Sequence, residues 1–191
     1  MRCFISVDLS DEIRSSIQKV IDDLRPQSRA VRWVPAENLH LTLKFLGEVE
    51  EGMVDEIRRL LAAVCGKYRS FGITFRGTGV FPNPGRPRVI WIGMDKAGSL
   101  GDLAREVDEA MAALGFERER RAFTPHLTIG RVKDGASVQP AMKALHTFRE
   151  TLFGSIMVKE IHLMRSTLKP SGAVYTELAG FPLSWGQEAE T

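Results

Sequence analysis

Asn38-Leu39-His40-Leu41-Thr42-Leu43-Lys44-Phe45 is the stretch from which the rest of the chain can be read, because it returns in altered form at Pro125-His126-Leu127-Thr128-Ile129-Gly130. Each copy holds a His-x-Thr-x tetrapeptide inside an alternating apolar run. Successive side chains of a β-strand point to opposite faces, so Leu39, Leu41, Leu43 and Phe45 are expected on one side and His40, Thr42 and Lys44 on the other. Leu127 and Ile129 are likewise expected to face a core, with His126 and Thr128 on the far side of their strand. One such tetrapeptide recurs by chance in many proteins. Two in matching contexts are a far stronger signal.

The surrounding segments repeat with the motif. Before the first copy, Arg2 to Val7 reads as a strand, and Ile13, Ile17, Val20, Ile21 and Leu24 fall at helical spacing, with Pro26 expected to end that helix. Val31 to Pro35 reads as a short extended piece. After the first copy, Met53, Ile57, Leu60, Leu61 and Val64 predict a second helix, followed by strands at roughly 71–76 and 88–94. The second half opens on a helix carrying Leu100, Leu103, Val107, Met111 and Leu114, and then presents its own His strand, 125–132. A helix over about 140–151 and two strands, 156–168 and 174–178, complete the pattern, with a turn at Pro170-Ser171-Gly172 and a disordered tail expected from Gln187 to Thr191.

Both halves therefore read helix, His strand, helix, strand, strand. The period is 126 − 40 = 86 residues, near half of the 191-residue chain, which predicts duplication rather than a solenoid. The expected architecture is α+β. It is a single domain over 1–191 made of two similar lobes, roughly 1–95 and 96–186, related by a pseudo-two-fold axis. Two antiparallel sheets would face a central cleft, with helices outside.

Composition bounds the chemistry. The formal charge of +2, from 26 Lys+Arg against 24 Asp+Glu, gives no broad attraction to nucleic acid, so any basic surface must be local. Cys3 and Cys65 are far apart and flanked by apolar residues, as reduced core thiols in a cytoplasmic protein would be. The N-terminal apolar run is too short for a signal peptide, and no run is long enough to span a membrane. No metal is expected, since the histidines are not spaced as a ligand pair on one element.

Two imidazoles, each followed two residues on by a hydroxyl, suit in-line displacement at phosphorus. Histidine titrates near pH ~6.5, so one ring can take a proton from the attacking oxygen while the other gives one to the leaving oxygen. The threonine hydroxyls would donate to the non-bridging oxygens. His146 and His162 are expected to be structural. Arg86 and Arg88 could hold a phosphate backbone or simply be solvated, and Trp33, Phe45, Phe81 and Phe123 could stack on a base or fill the core.

The paired segments His40-Leu41-Thr42-Leu43-Lys44-Phe45-Leu46-Gly47 and Pro125-His126-Leu127-Thr128-Ile129-Gly130-Arg131 resemble the two-histidine (2H) phosphoesterase superfamily, and within it the RNA 2′,3′-cyclic phosphodiesterase, or 2′-5′ RNA ligase-like, group. Arg2-Cys3-Phe4-Ile5, Arg88-Val89-Ile90-Trp91-Ile92-Gly93 and Leu163-Met164-Arg165-Ser166, followed by Gly172 and Tyr175, extend the likeness from Arg2 to about Leu183. The resemblance implies a bilobal α+β fold without a metal or other cofactor. It implies opening of a terminal 2′,3′-cyclic phosphate on RNA to a 2′-phosphate, the reverse direction joining ends through a 2′-5′ bond. His40 would be the proton donor, His126 the acceptor, and Thr42 and Thr128 phosphate-oxygen donors. Arg131 matches a recurrent position, although strict alternation places it on the Leu127 face. The implied partner is RNA with 2′,3′-cyclic phosphate ends, tRNA fragments among the candidates, and a monomer without membrane association is expected. The alternatives are an RNA-end-binding module without turnover, or an esterase acting on a small cyclic nucleotide or an ADP-ribose cyclic phosphate.

Overall fold

The computed structural model describes residues 1–133 and 137–184. The expected disordered tail lies outside the described residues. The chain runs β1 (Arg2–Val7), α1 (Asp11–Leu24), β2 (Val31–Trp33), β3 (Leu41–Glu48), α2 (Val54–Cys65), β4 (Phe71–Phe81), β5 (Val89–Asp95), α3 (Gly98–Ala112), β6 (Leu127–Val132), α4 (Gln139–His146), β7 (Leu152–Val158), β8 (Glu160–Lys169) and β9 (Gly172–Pro182). Helix α1 shows how local chemistry sets the bounds. The Ser10 hydroxyl accepts from the Ile13 N–H at 3.3 Å, Asp11 and Glu12 sit in the first turn, and the apolar positions spaced for a helix are the ones buried. At the other end Pro26 falls in a 3-10 turn over Arg25–Gln27, where the α-helix has stopped.

The strands form two antiparallel sheets, one of order β3-β1-β8-β9 and one of order β2-β6-β5-β4-β7. The α+β class and the paired sheets agree with the reading of the sequence. The boundary between lobes does not follow the expected division into 1–95 and 96–186. Strands β5 and β4, from the first half, pair with β6 and β7 respectively, while β8 pairs back to β1 and carries β9 on its other side. Apart from β2, the five-stranded sheet is one continuous block from Phe71 to Val158, inserted between the two parts of the other sheet.

The crossing point explains the difference. A single strand expected over 156–168 is two strands, and the chain passes from the edge of one sheet to the interior of the other at Lys159. Val158 and Ile161 are buried on either side, and the Lys159 carbonyl accepts from the Leu183 N–H at 2.8 Å. Strand β4 is also longer than expected because Gly77, at φ +72°, carries a register shift that lets it continue. A Cβ there would sit 2.6 Å from the Arg149 carbonyl oxygen.

The helices are exchanged between the sheets. Helix α1 follows β1 but packs on β7 and α4, and α3 follows β5 but packs on β3 and α2. The contacts of β1-α1-β3-α2 are thus matched in kind by those of β5-α3-β6-α4, each set holding one His strand. Cys3 and Cys65 are buried and unpaired, and burial pushes the Cys65 thiol up to about 12, as expected for inert core thiols.

Both His strands break alternation at the same step. Across β1 and β3, Ser6 pairs with Thr42 and Ile5 with Lys44, skipping Leu43; across β5 and β6, Trp91 pairs with Thr128 and Ile90 with Gly130, skipping Ile129. The bulge reverses the faces beyond it. Lys44, expected beside Thr42, is instead 2% exposed and donates to Asp108 Oδ1 of α3 at 2.6 Å and to the Glu117 carbonyl at 2.8 Å. Phe45, expected in the core, is 60% exposed. It pairs with Phe4, which shares a face with Ser6, so Phe45 lies on the Thr42 side. By the same reasoning Arg131, paired with Val89, lies on the Thr128 side and not on the Leu127 side.

Candidate active site

Each histidine sits one residue before its strand, where a turn rather than a ladder sets its position. The turn before His40, a 3-10 turn over Ala36–Asn38, is held from two directions. Arg14 of α1 donates through Nη1 to the Ala36 and Leu39 carbonyls, both at 2.7 Å, and its other nitrogen pairs with Asp8. The Asn38 amide donates to the Ala173 carbonyl of β9 at 2.9 Å. Leu39, 1% exposed, anchors the segment in the core.

The imidazoles are fixed in the same way. His40 Nδ1 lies 2.7 Å from the Asn38 carbonyl oxygen, and His126 Nδ1 lies 2.7 Å from the Thr124 carbonyl oxygen, two residues upstream in both cases. A carbonyl only accepts, so Nδ1 of each ring carries a proton and donates it. Nε2 is then the nitrogen that exchanges protons, unprotonated in the neutral ring and protonated in the cation. Aromatic neighbours hold the ring planes. Phe4 stacks on His40 with centroids 4.7 Å apart and Tyr175 meets its ring edge-on at 5.2 Å, while Phe81 meets His126 edge-on at 5.1 Å.

Burial lowers the His40 pKa below its ordinary value; the bond to the Asn38 carbonyl raises it, Arg14 lowers it further, and Asp8 raises it in part. A cavity of about 340 Å³ opens beside His40, lined by residues that include Ser6, Asp8, Arg14, His162 and Tyr175. His162, expected to be structural, is 9% exposed and bonded through Nδ1 to Glu177 Oε2 at 3.1 Å, yet it also lines this cavity.

Thr42 and Thr128 are partly exposed, two residues along from the histidines. The main chain itself ties the two motifs together. Strand β2 runs antiparallel to β6 toward the start of β6, with the Val34 N–H donating to the Ile129 carbonyl at 2.9 Å, and the next residues lead directly to His40. Strands β3 and β6 approach each other with Cα atoms within 8 Å. Of the other aromatics weighed for stacking, Trp33 covers Gly130 on the core side and Phe123 packs against the core. Reading the sequence missed the parts played by Phe4, Arg14 and Tyr175. Phe4 and Tyr175 stood within matching segments, but their geometry depends on strand pairing. Among the described residues, no three of His, Cys, Asp and Glu are grouped as a metal ion requires.

A family model described as the 2′-5′ RNA ligase superfamily matches residues 13–170, and the chain belongs to that superfamily. An RNA 2′,3′-cyclic phosphodiesterase of Methanothermobacter thermautotrophicus is 37% identical over 183 residues, covering 96% of this chain and 99% of the relative. Another, of Archaeoglobus fulgidus, is 40% identical over 181 residues, covering 95% and 99%. Among solved structures, a Thermus thermophilus protein superposes with a TM-score of 0.82 at 33% identity, covering 97% of this chain and 100% of that one. Escherichia coli LigT complexed with 3′-AMP superposes with a TM-score of 0.74 at 30% identity, covering 96% and 98%.

Proposed function

We propose that this chain is an RNA 2′,3′-cyclic phosphodiesterase in which His40 and His126 are the acid/base pair. The observation that carries the residue assignment is the matched anchoring of the two rings, each with Nδ1 on the carbonyl two residues upstream and Nε2 left for proton transfer. Water attacks phosphorus as the bond to O3′ breaks. One ring takes the proton of the water, the other gives its proton to O3′, and the product is a 2′-phosphomonoester. A 5′-hydroxyl in place of water makes a 2′-5′ linkage by the same transfers. Thr42 and Thr128 donate to the non-bridging oxygens, and Arg131 adds positive charge on the Thr128 side.

The donor role that the family resemblance implies for His40 requires a protonated ring, whereas burial favours its neutral form in the free protein. The bound phosphodiester anion supplies the missing stabilisation, since a nearby negative charge favours imidazolium. The substrate is the terminal cyclic phosphate of an RNA such as a tRNA fragment, met in the cytoplasm by a monomer. The internal duplication supplies both halves of the site without a second subunit. No helix among the described residues is long and apolar enough to cross a membrane.

The test is to incubate the protein with an RNA ending in 2′,3′-cyclic phosphate, with chelator present, and to follow the product by phosphorus NMR. A 2′-phosphate is expected. A 3′-phosphate, no product, or dependence on added metal overturns the proposal.

A further inference from the structure

Beyond Thr128, one corner of the five-stranded sheet is basic. Strand β2 sets Arg32 directly opposite Arg131 of β6, and β5 sets Val89 on the other side of Arg131. Val31 and Trp33, on either side of Arg32 in its strand, pack into the core, so Arg32 rises from the opposite face, the one that carries Arg131 and Thr128. Both arginines are exposed. Side chains directly opposed on one face of an antiparallel pair stand about 5 Å apart at Cβ, and like charges there repel. Among the described residues neither guanidinium meets a carboxylate or any other partner, whereas Arg59 and Arg76, exposed elsewhere, have Glu56 and Asp95.

The neighbouring segments supply no counter-charge. Residues 29–35, 84–94 and 127–133 carry Arg29, Arg32, Arg86, Arg88, Arg131 and Lys133, and no Asp or Glu. The main chain brings the three together: the Val132 N–H donates to the Arg88 carbonyl at 2.9 Å, and the Lys133 N–H donates to the Ala30 carbonyl at 2.8 Å. In a chain with 26 basic residues against 24 acidic ones, a corner of single sign is a local basic surface of the kind that nucleic acid requires.

We infer that Arg32, with Arg131, holds a second phosphate of the RNA, the phosphodiester that joins the terminal nucleotide to the one before it. Arg131 stands three residues along β6 from Thr128, roughly 10 Å of strand, and Arg32 lies one strand further out. Arg131 is thus placed between the reacting phosphate and the next, and Arg32 serves only the next. Two guanidinium forks side by side present donors in the arrangement that phosphate oxygens accept, and the anion removes the repulsion between them. This rests on the reading of the preceding subsection and adds what that reading lacks, a group that tells an RNA end from a cyclic mononucleotide, which has no second phosphate. Backbone charge is the same under every base, so the pair confers no choice of sequence.

The experiment compares two ApA dinucleotides ending in 2′,3′-cyclic phosphate, one joined by the natural phosphodiester and one by an uncharged methylphosphonate. The wild type is expected to favour the charged linkage by roughly 10- to 100-fold in kcat/KM. In Arg32→Ala that ratio falls toward one, mainly through KM, and Arg32→Lys, which keeps the charge and loses the fork, retains an intermediate ratio. The slope of log KM against log salt for the natural dinucleotide is expected to fall by about 0.7 in Arg32→Ala. The urea midpoint of that variant is expected to hold or rise, because a repulsion is removed, which separates loss of the ratio from loss of the fold. A wild-type ratio near one, or an unchanged ratio in Arg32→Ala, overturns the proposal while leaving the proposed reaction intact. If the wild type turns over neither dinucleotide, the proposed reaction fails instead, and binding decides the subsite. Fluorescence anisotropy of the same pair, labelled at the 5′ end and carrying a terminal 2′-phosphate, is then expected to show tighter binding of the charged linkage, and equal affinities would end the proposal.

Discussion

The Lys44 ammonium reaches Asp108 Oδ1 at 2.6 Å, joining the strand behind His40 to a helix that follows the other sheet's β5. Lys44 is almost wholly inaccessible, so Asp108 and the Glu117 carbonyl stand where water would otherwise solvate its ammonium. Removing one member of a buried pair leaves the other uncompensated, and Asp108→Asn is expected to cost about 3 kcal/mol or more in urea unfolding at pH 7. Burial pushes the Asp108 carboxyl up, but the Lys44 ammonium, the Glu119 N–H and Arg118 together hold it below the usual carboxylate range. Its contribution is therefore present above the unfolded pKa of about 3.9 and lost as pH falls through the lower folded value. The loss of wild-type stability in that acid window is expected to be smaller in Asp108→Asn.

Replacing either His40 or His126 by Ala is expected to lower kcat by roughly 10² to 10⁴, with far-ultraviolet circular dichroism and the unfolding midpoint little changed. Near-normal turnover in either variant removes that ring from the chemistry. Thr42→Val or Thr128→Val is expected to lose less, about 10² to 10³.

The lowered His40 pKa has a readable signature. By proton NMR the His40 ring of the free protein is expected to titrate below the ordinary value of about 6.5, and to move upward when a 2′-phosphomonoester occupies the site. Correspondingly, the alkaline limb of kcat, which reports the bound complex, is expected at higher pH than that of kcat/KM, which reports the free enzyme. Coincident limbs would count against a protonated His40 in the bound state. Because the folded ring resists protonation, this residue also withdraws stability as pH falls from its unfolded pKa toward the lower folded one.

Arg14 serves the site from a distance. Arg14→Ala frees the Ala36 and Leu39 carbonyls that deliver His40. A loss of about 1.5–3 kcal/mol in stability is expected for losing a bond to a charged donor, along with a broadened His40 NMR signal. An unchanged His40 signal in that variant would show that the turn needs no clamp.

Much of this was legible in the residues themselves. The apolar spacing marked the helices, and Leu41, Leu43, Leu127 and Ile129 are buried where alternation placed them. The bulges were not legible, because Leu43 and Ile129 stay in the core whether or not the strand kinks there, and the effect appears only at Lys44, Phe45 and Arg131. The exchange of strands was hidden for a different reason: alternation tells which side of a strand is apolar and is silent on its neighbours. Lys159-Glu160, two adjacent charges inside an apolar run, was the one local sign that the strand divides.

Ile5 pairs with Leu163, almost the whole chain away. On the ribosome, every strand of the five-stranded sheet emerges before β8 does, so that sheet can close while β1 waits with one edge unpaired. Synthesis halted short of Glu160 would leave the five-stranded sheet whole and the other with only two of its four strands, so the arrival of β8 is the event that covers the open edge of β1.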